Sequence, residues 1–345
     1  MTTVELLARL RDLGIRLWSE GERLRYHAPE GALTAELRAE IVARKAEILA
    51  FLDQAASATQ PIAAAIPPAS RAEPLPLSFA QERLWFIDRL QPGSSAYNMP
   101  QVVRLRGRLD VGALRASLTE VVRRHEILRT TFSTSDDRAG QPIQLIHSPA
   151  EVALACHDLS ALPAAERDST ARQLAADETG RPFDLRHGPL LRALLILTSD
   201  DEHLLVLTLH HIVSDGWSTG LLIRELTTYY SAAVRGAPIA TVLPPLPIQY
   251  ADYAVWQRQT LVGDRLDAEI DYWQRQLAGI PELLELPTDR PRPAQQTFNG
   301  AIETAQLPAA LIASLTQLSQ REDATLFMTL LAAFQTLLHR YTAQR

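Results

Sequence analysis

Residues 54–77 read QAASATQPIAAAIPPASRAEPLPL, and no compact element can be built through them. Pro61, Pro67, Pro68, Pro74 and Pro76 remove backbone donors and favour extended backbone, and the alanines between them carry no sustained apolar period. The stretch reads as a linker. It splits the 345 residues into a short N-terminal piece and a much larger remainder, in keeping with about two or three domains for this length.

The short piece has its own logic. Thr3 can cap a helix in which Val4, Leu7, Leu10 and Leu13 recur at helical spacing, and Gly14 stops it. Ile15–Trp18 and Arg23–Tyr26 alternate around Ser19-Glu20-Gly21-Glu22, which predicts a β-hairpin. After Pro29 and Gly31, Thr34 opens a second helical stretch with Leu37, Ile41, Ile48 and Leu52 as its stripe. A helix, a hairpin and more helix make a marginal core, and such a domain gains stability from a partner or by dimerising.

From Leu77 onward strands and helices alternate, so the class is α/β or α+β. Strands are expected at 101–109, 128–134, 141–147, 190–198 and 203–213. The first helix is opened by Asp110, with Leu114, Leu118, Val121 and Val122 inward. Further helices are expected at 163–179, 217–235, 251–259, 265–277, 308–320 and 325–341, and a Pro-rich stretch at 238–247 suggests a lobe boundary. The last helix is amphipathic and runs to the final residue with no strand to pack on, so the chain reads as a piece of something longer. No internal repeat is present.

Composition narrows the function classes. A formal net charge of −6 gives no reason to expect nucleic acid. Cys156 is the only cysteine, which excludes an intramolecular disulfide and a zinc site built on cysteine pairs. No apolar run is long enough for a membrane span, and the opening Met-Thr-Thr-Val-Glu does not suit a secretory signal. A cytoplasmic protein is expected.

The segment that carries chemistry is His210-His211-Ile212-Val213-Ser214-Asp215-Gly216-Trp217-Ser218, where an apolar strand gives way to a helix. A strand end holds a side chain rigidly. A helix start offers free N–H groups and positive dipole character where negative charge develops. Histidine titrates near neutrality. Asp215 could orient a ring or hold the turn, and Gly216 permits backbone angles that other residues resist. A histidine in such a place is also a common structural residue. A zinc ligand pair is the other alternative, but no further ligand cluster has suitable spacing, and no metal is expected.

The segment resembles the H-H-x-x-x-D-G motif of condensation domains from nonribosomal peptide synthetases. Other segments match that family in the same order: Ser78–Phe86 (SFAQERLWF) with Tyr97-Asn98-Met99-Pro100 after it, Arg124–Phe132 (RHEILRTTF) and Tyr250–Trp256 (YADYAVW). The resemblance runs from about Pro74 to Arg345. It implies the chloramphenicol-acetyltransferase-like fold, two lobes with a substrate tunnel between them. The family's later V-N-T and R-D-x-S motifs are not in the sequence, so the expectation is a complete first lobe at 74–248 and only the start of a second at 249–345.

By this resemblance His211 faces the tunnel and assists attack of an acceptor amine on a donor thioester. Both substrates are held on phosphopantetheine arms of partner carrier proteins, and no cofactor is bound directly. Asp215 is structural and pairs with an arginine, for which Arg129 is the candidate. Gly216 presents its N–H near the developing oxyanion or the pantetheine arm, and His210 packs and shapes the turn. Asp252 and Arg83 are candidates for ion pairs that fix lobe geometry, and Trp85, Tyr253 and Trp256 for aromatic packing. Ser78–Phe86 resembles the subtype joining an L-configured donor to an L-configured acceptor. The alternatives are an epimerisation relative, which usually carries D-G-V-S-W, and a docking or scaffold piece without catalysis of its own.

The first 53 residues resemble TubC-type N-terminal docking domains, through L-x-x-x-G-I-x-L, the hairpin and A-P-x-G-A-L-T-x-E-L, with 54–73 as linker. The resemblance implies binding of the C-terminal tail of an upstream synthetase subunit. Arg16, Trp18, Arg23 and Arg25 on the hairpin are the candidates to receive it.

Overall fold

The computed structural model describes Leu6, Leu10 and residues 15–20, 23–27, 33–49, 66–134, 140–294, 297 and 300–344. In the N-terminal piece, β1 (Arg16–Glu20) and β2 (Arg23–His27) form the expected hairpin, with Arg16 opposite His27 and Trp18 opposite Arg25. Helix α1 (Ala35–Ala43) is opened by Thr34, whose hydroxyl accepts from the Leu37 amide at 3.3 Å. Leu6, Leu10, Ile15, Leu37, Ile41 and Ile48 make its small core. The helix expected at Thr3–Leu13 lies outside the described residues apart from Leu6 and Leu10, and Leu52 lies outside them too.

The larger body opens with β3 (Leu75–Pro76) and α2 (Phe79–Leu90). Ser78 starts α2 with a reciprocal cap: its hydroxyl accepts from the Gln81 backbone N–H at 3.2 Å, and the Gln81 side-chain Oε1 accepts from the Ser78 backbone N–H at 3.0 Å. Then come β4 (Asn98–Arg106), α3 (Val111–Arg124), a 3₁₀ turn (Glu126–Arg129), β5 (Thr130–Thr134), β6 (Pro142–Ile146) and β7 (Leu154–Asp158). Helix α4 (Ala164–Gly180), β8 (Leu191–Leu197), β9 (Glu202–His210) and α5 (Gly216–Val234) complete this part.

Among the described residues β4-β9-β8-β7 form one sheet, antiparallel except for the parallel β7–β8 pair, and β3-β6-β5 form a second, antiparallel sheet. The first sheet is covered on both sides, which is why its central strands read as unbroken apolar runs rather than as alternation. Ala193, Leu195, Leu205, Leu207 and Leu209 face α3 and α5, where Leu118, Val121 and Tyr229 meet them. Leu194, Ile196 and Val206 face Ala171 of α4.

The expected elements shift where local bonding intervenes. The strand placed at 128–134 starts only at Thr130, because Leu128 N–H donates to His125 O at 3.1 Å and closes a turn first. The strand placed at 203–213 ends at His210, where Val213 N–H turns back onto His210 O at 3.0 Å. Strand β7 had no sequence signal: only Leu154 of its residues is buried, and the rest of this parallel edge faces solvent.

After a short 3₁₀ turn (Ile239–Thr241) the chain continues in helices: α6 (Tyr250–Thr260), α7 (Asp264–Gln276), α8 (Ala309–Arg321) and α9 (Leu326–Thr342). Helix α6 is seated on the larger body. Asp252, 2% exposed, accepts from Arg71 Nη1 at 2.6 Å, Ala69 N–H at 2.8 Å and Gln249 N–H at 2.6 Å. The last residues of the expected linker are therefore bonded to the body. Burial pushes the Asp252 carboxyl up, but Arg71 and the two amides outweigh it and hold it below its ordinary range. Arg83 makes no ion pair among the described residues. Its neighbour Glu82 does, with Arg258 of α6 at 2.5 Å. No described helix is long and apolar enough to cross a membrane.

Candidate active site

Strand β9 delivers the histidine pair. His210 N–H donates to Leu190 O at 3.1 Å and His211 N–H to Tyr97 O at 2.9 Å, so the end of β9 is held from both sides. The two side chains then part. His210 is buried, with Tyr97 at 6.4 Å and Phe183 edge-on at 6.0 Å between ring centroids. Its Nδ1 accepts from Ile212 N–H at 3.1 Å, so that nitrogen carries no proton. Burial, and secondarily the His211 charge, lower the His210 pKa to about 4, so it is a neutral packing ring at neutral pH.

His211 is exposed. Its Nδ1 lies 2.7 Å from Ser214 O, and a carbonyl only accepts, so Nδ1 carries the proton. In the neutral ring this leaves the Nε2 lone pair free on the open side. The Tyr97 ring lies near-parallel to it, 26° off plane at 6.4 Å. This is the tautomer a proton acceptor needs, and backbone alone sets it.

Asp215 caps α5. Its Oδ1 accepts from Ser218 N–H at 2.7 Å and Ser218 Oγ–H at 2.5 Å, and its own N–H donates to Ser218 Oγ at 3.3 Å. These Ser218 bonds, with smaller help from His211 and the Trp217 amide, hold the Asp215 carboxyl below its ordinary range. Gly216 is the first residue of α5 and is not among the glycines at positive φ. The conformational reason expected for it does not apply. Nothing stands within 4 Å of where a Cβ would be, so its backbone is open to approach. Trp217 beside it is 83% exposed.

The expected Asp215–Arg129 pair does not form. Arg129 ends the 3₁₀ turn, and its own carbonyl accepts from His147 N–H at 2.9 Å, which fixes it at the end of the β5–β6 ladder. From there its Nη1 donates to His147 O, its Nη2 lies 3.8 Å from Glu126 Oε1, and its Nε is buried without a partner. Asp215 is meanwhile occupied by the N-terminus of its own helix.

What joins the Arg124-His125-Glu126 segment to α5 is a residue the sequence reading missed. Glu225 accepts from Arg124 Nε at 3.1 Å and bonds His125 Nε2 at 2.7 Å. Glu126 closes the same tie from the other side, pairing with Arg71 at 2.7 Å while its N–H donates to Gln249 Oε1 at 3.0 Å. Charged residues between apolar neighbours were the available signal. Tyr97 was also missed as a neighbour of His211, since only the β4–β9 register, Asn98 opposite His210, places it there.

Arg16, Trp18, Arg23 and Arg25 share the β1–β2 hairpin; their side chains lie outside the described part of the structure. Among the described residues no group of three or more His, Cys, Asp and Glu could hold a metal ion.

Two family models match. The one for the condensation domain covers residues 71–345, and the one for the TubC N-terminal docking domain covers residues 4–54. The chain is 52% identical over 279 residues to one of the linear gramicidin synthase proteins of Brevibacillus parabrevis, covering 81% of this chain and 4% of that protein. It is 47% identical over 272 residues to phosphinothricin tripeptide synthetase PhsC of Streptomyces viridochromogenes, covering 79% of this chain and 25% of that one. The chain thus spans a small part of the curated relatives it matches. Among solved structures, the X-domain from teicoplanin biosynthesis is similar at a TM-score of 0.70 and 34% identity, over 80% of this chain and 59% of that one. The EpoB cyclization-docking bidomain from Sorangium cellulosum is similar at 0.69 and 26% identity, over 99% of this chain and 65% of that one.

Proposed function

The chain belongs to the condensation-domain family of peptide synthetases, with a TubC-type docking domain matched ahead of it, and from that premise we propose that its parent protein forms an amide bond between two carrier-bound thioesters. The observation that carries the proposal is the His211 ring at the end of β9, with Nδ1–H tied to Ser214 O and Nε2 open.

The acceptor amine nitrogen attacks the donor thioester carbonyl. A C–N bond forms, the C–S bond breaks, and the amine proton passes by way of His211 Nε2 to the departing pantetheine sulfur. Negative charge on the carbonyl oxygen develops near the α5 N-terminus, where Gly216 leaves the backbone open and the helix dipole favours an anion. Asp215 holds that helix start in place. The phosphopantetheine arms are substrates brought by the donor and acceptor carrier proteins. An L-configured donor and an L-configured acceptor fit the Ser78–Phe86 signature, and Trp217-Ser218 after Asp215-Gly216 speaks against the epimerising relatives.

We divide the chain into a docking domain at 1–53, a linker at 54–73 and two condensation lobes meeting near 248, the second represented by 249–345. The docking domain recruits the C-terminal tail of an upstream subunit, which adds as a strand beside the hairpin, and it is the part able to pair with a second copy. The protein works in the cytoplasm. The 345-residue chain by itself is a docking and scaffold piece: His211 stands exposed, and proximity, which supplies about 7–11 kcal/mol in well-oriented reactions, needs a wall opposite it. The test is a condensation assay with loaded carriers read by intact mass, on the parent and on this chain. Product from the parent and none from the chain is expected. Robust amide formation by the chain overturns the scaffold reading, and no product from the wild-type parent overturns the reaction.

A further inference from the structure

A cleft in the larger body lies away from His211. It is walled by the start of β5, the segment from His147 to Ala155 that leads into β7, and the stretch from Glu178 to Ala193 that leads into β8. Its volume is about 1130 Å³, room for a drug-sized molecule. Neither histidine of the pair lines it, yet two of its wall residues touch His210. Phe183 forms part of its wall and meets the His210 ring, and Leu190, also in the wall, accepts the His210 N–H.

One side of the cleft is apolar, from Val122, Leu128, Leu154, Phe183 and Leu191. The charged groups divide into used and unused. Arg192 is spent: it bonds Glu178 at 2.5 Å and stacks over Phe183 at 3.8 Å. Asp184 is paired with His187 at 2.8 Å. Arg115, exposed on α3, makes no ion pair among the described residues.

Arg129 is the unusual member. Nη1 is taken by His147 O, Nη2 has only a distant carboxylate at 3.8 Å, and Nε is buried with no acceptor. The Nε–Nη2 side of a guanidinium is a two-donor edge that matches the two oxygens of a carboxylate. A buried donor on a cation, left unmet beside an apolar wall, marks a place where an acceptor belongs.

We propose that this cleft binds a carboxylate on an acyl chain, with the carboxylate on the Nε–Nη2 edge of Arg129 and the chain along Val122, Leu128, Leu154 and Phe183. Arg115 stands at the rim and attracts the anion. Nothing in the condensation reaction uses the site. Its wall touches His210, so its occupant sits one residue from the reacting histidine.

Octanoate titrated calorimetrically into the 345-residue chain tests this, with octylamine and inorganic phosphate as the other arms. Saturable octanoate binding is expected, weakened at least tenfold by Arg129→Ala and about threefold by Arg115→Glu, which alters only an exposed residue and keeps the test valid should Arg129→Ala fold poorly. His211→Ala is expected to bind as the wild type does. Absence of binding, octylamine binding as tightly, phosphate binding as tightly, no effect of the arginine changes, or loss in His211→Ala would each overturn the proposal.

Discussion

The Nδ1–H of His211 donates to the Ser214 carbonyl at 2.7 Å. Because the acceptor is backbone, no side chain at 214 sets the tautomer; the turn from β9 into α5 does. His210 is fixed by the same turn in the opposite sense, its Nδ1 accepting from Ile212 N–H. Two adjacent imidazoles thus hold opposite tautomers, one buried and neutral, one open with a free lone pair.

His211→Ala in the parent protein should lower the condensation rate about 100-fold or more, the scale of a positioned acid–base group. Single-turnover intact-mass measurement of loaded carriers reads it, and a rate within threefold of wild type would remove His211 from the chemistry.

His210 gives a pH signature. Its pKa is about 4 when folded, against about 6.5 in an unfolded chain. A depressed folded pKa means the unfolded state binds the proton more readily. The contribution is fully present above about pH 6.5 and falls away as pH drops toward 4, where the loss amounts to about 3 kcal/mol. Urea unfolding at pH 7 and at pH 4 should show that loss. His210→Asn, which keeps an acceptor for Ile212 N–H, should flatten the slope; an unchanged slope would place the acid sensitivity elsewhere.

Asp215 acts as a helix cap. Asp215→Ala should therefore cost about 1 kcal/mol, the scale of a lost N-cap, rather than the several kcal/mol of a broken buried ion pair. A double-mutant cycle with Arg129→Ala should give a coupling within about 0.5 kcal/mol of zero. A coupling of several kcal/mol would restore the pair that the structure separates.

Arg71→Ala leaves the Asp252 carboxylate buried with only amide partners. Arg71 is a third exposed, so the loss should sit near the low end of one-sided breakage of a buried pair, about 3 kcal/mol. Asp252→Asn should cost less, since Arg71 keeps Glu126. Chemical denaturation of the two variants compares them directly, and the reverse order would assign the stability to the Ala69 and Gln249 amides on Asp252 rather than to Arg71.

Much of the fold was legible because burial leaves a period in the sequence. Leu114, Leu118, Val121 and Val122 follow the inward face of α3, and the unbroken run in β8 marks a strand covered on both sides. Strand β7 was illegible because an edge with one buried residue carries no period. The histidine pair stood out through residue type and its strand-end position. Tyr97 and Glu225 did not, because their roles depend on which strand lies opposite β9 and which turn packs on α5. The family resemblance and the apolar neighbours Leu128 and Phe132 suggested Arg129 for Asp215, and the helix N-terminus, sitting in the same turn, claimed that carboxylate first.

The seating of Ala69 and Arg71 on Asp252 has a meaning for anyone recombining synthetases. A splice junction placed in the Ala/Pro stretch before Ala69 exchanges one N-terminal piece for another and carries the whole seat along with the larger body. A junction between Arg71 and Leu77 would strip the arginine from its buried carboxylate wherever the new upstream sequence lacks one, and the resulting chimera would start about 3 kcal/mol less stable before any mismatch of partners is measured.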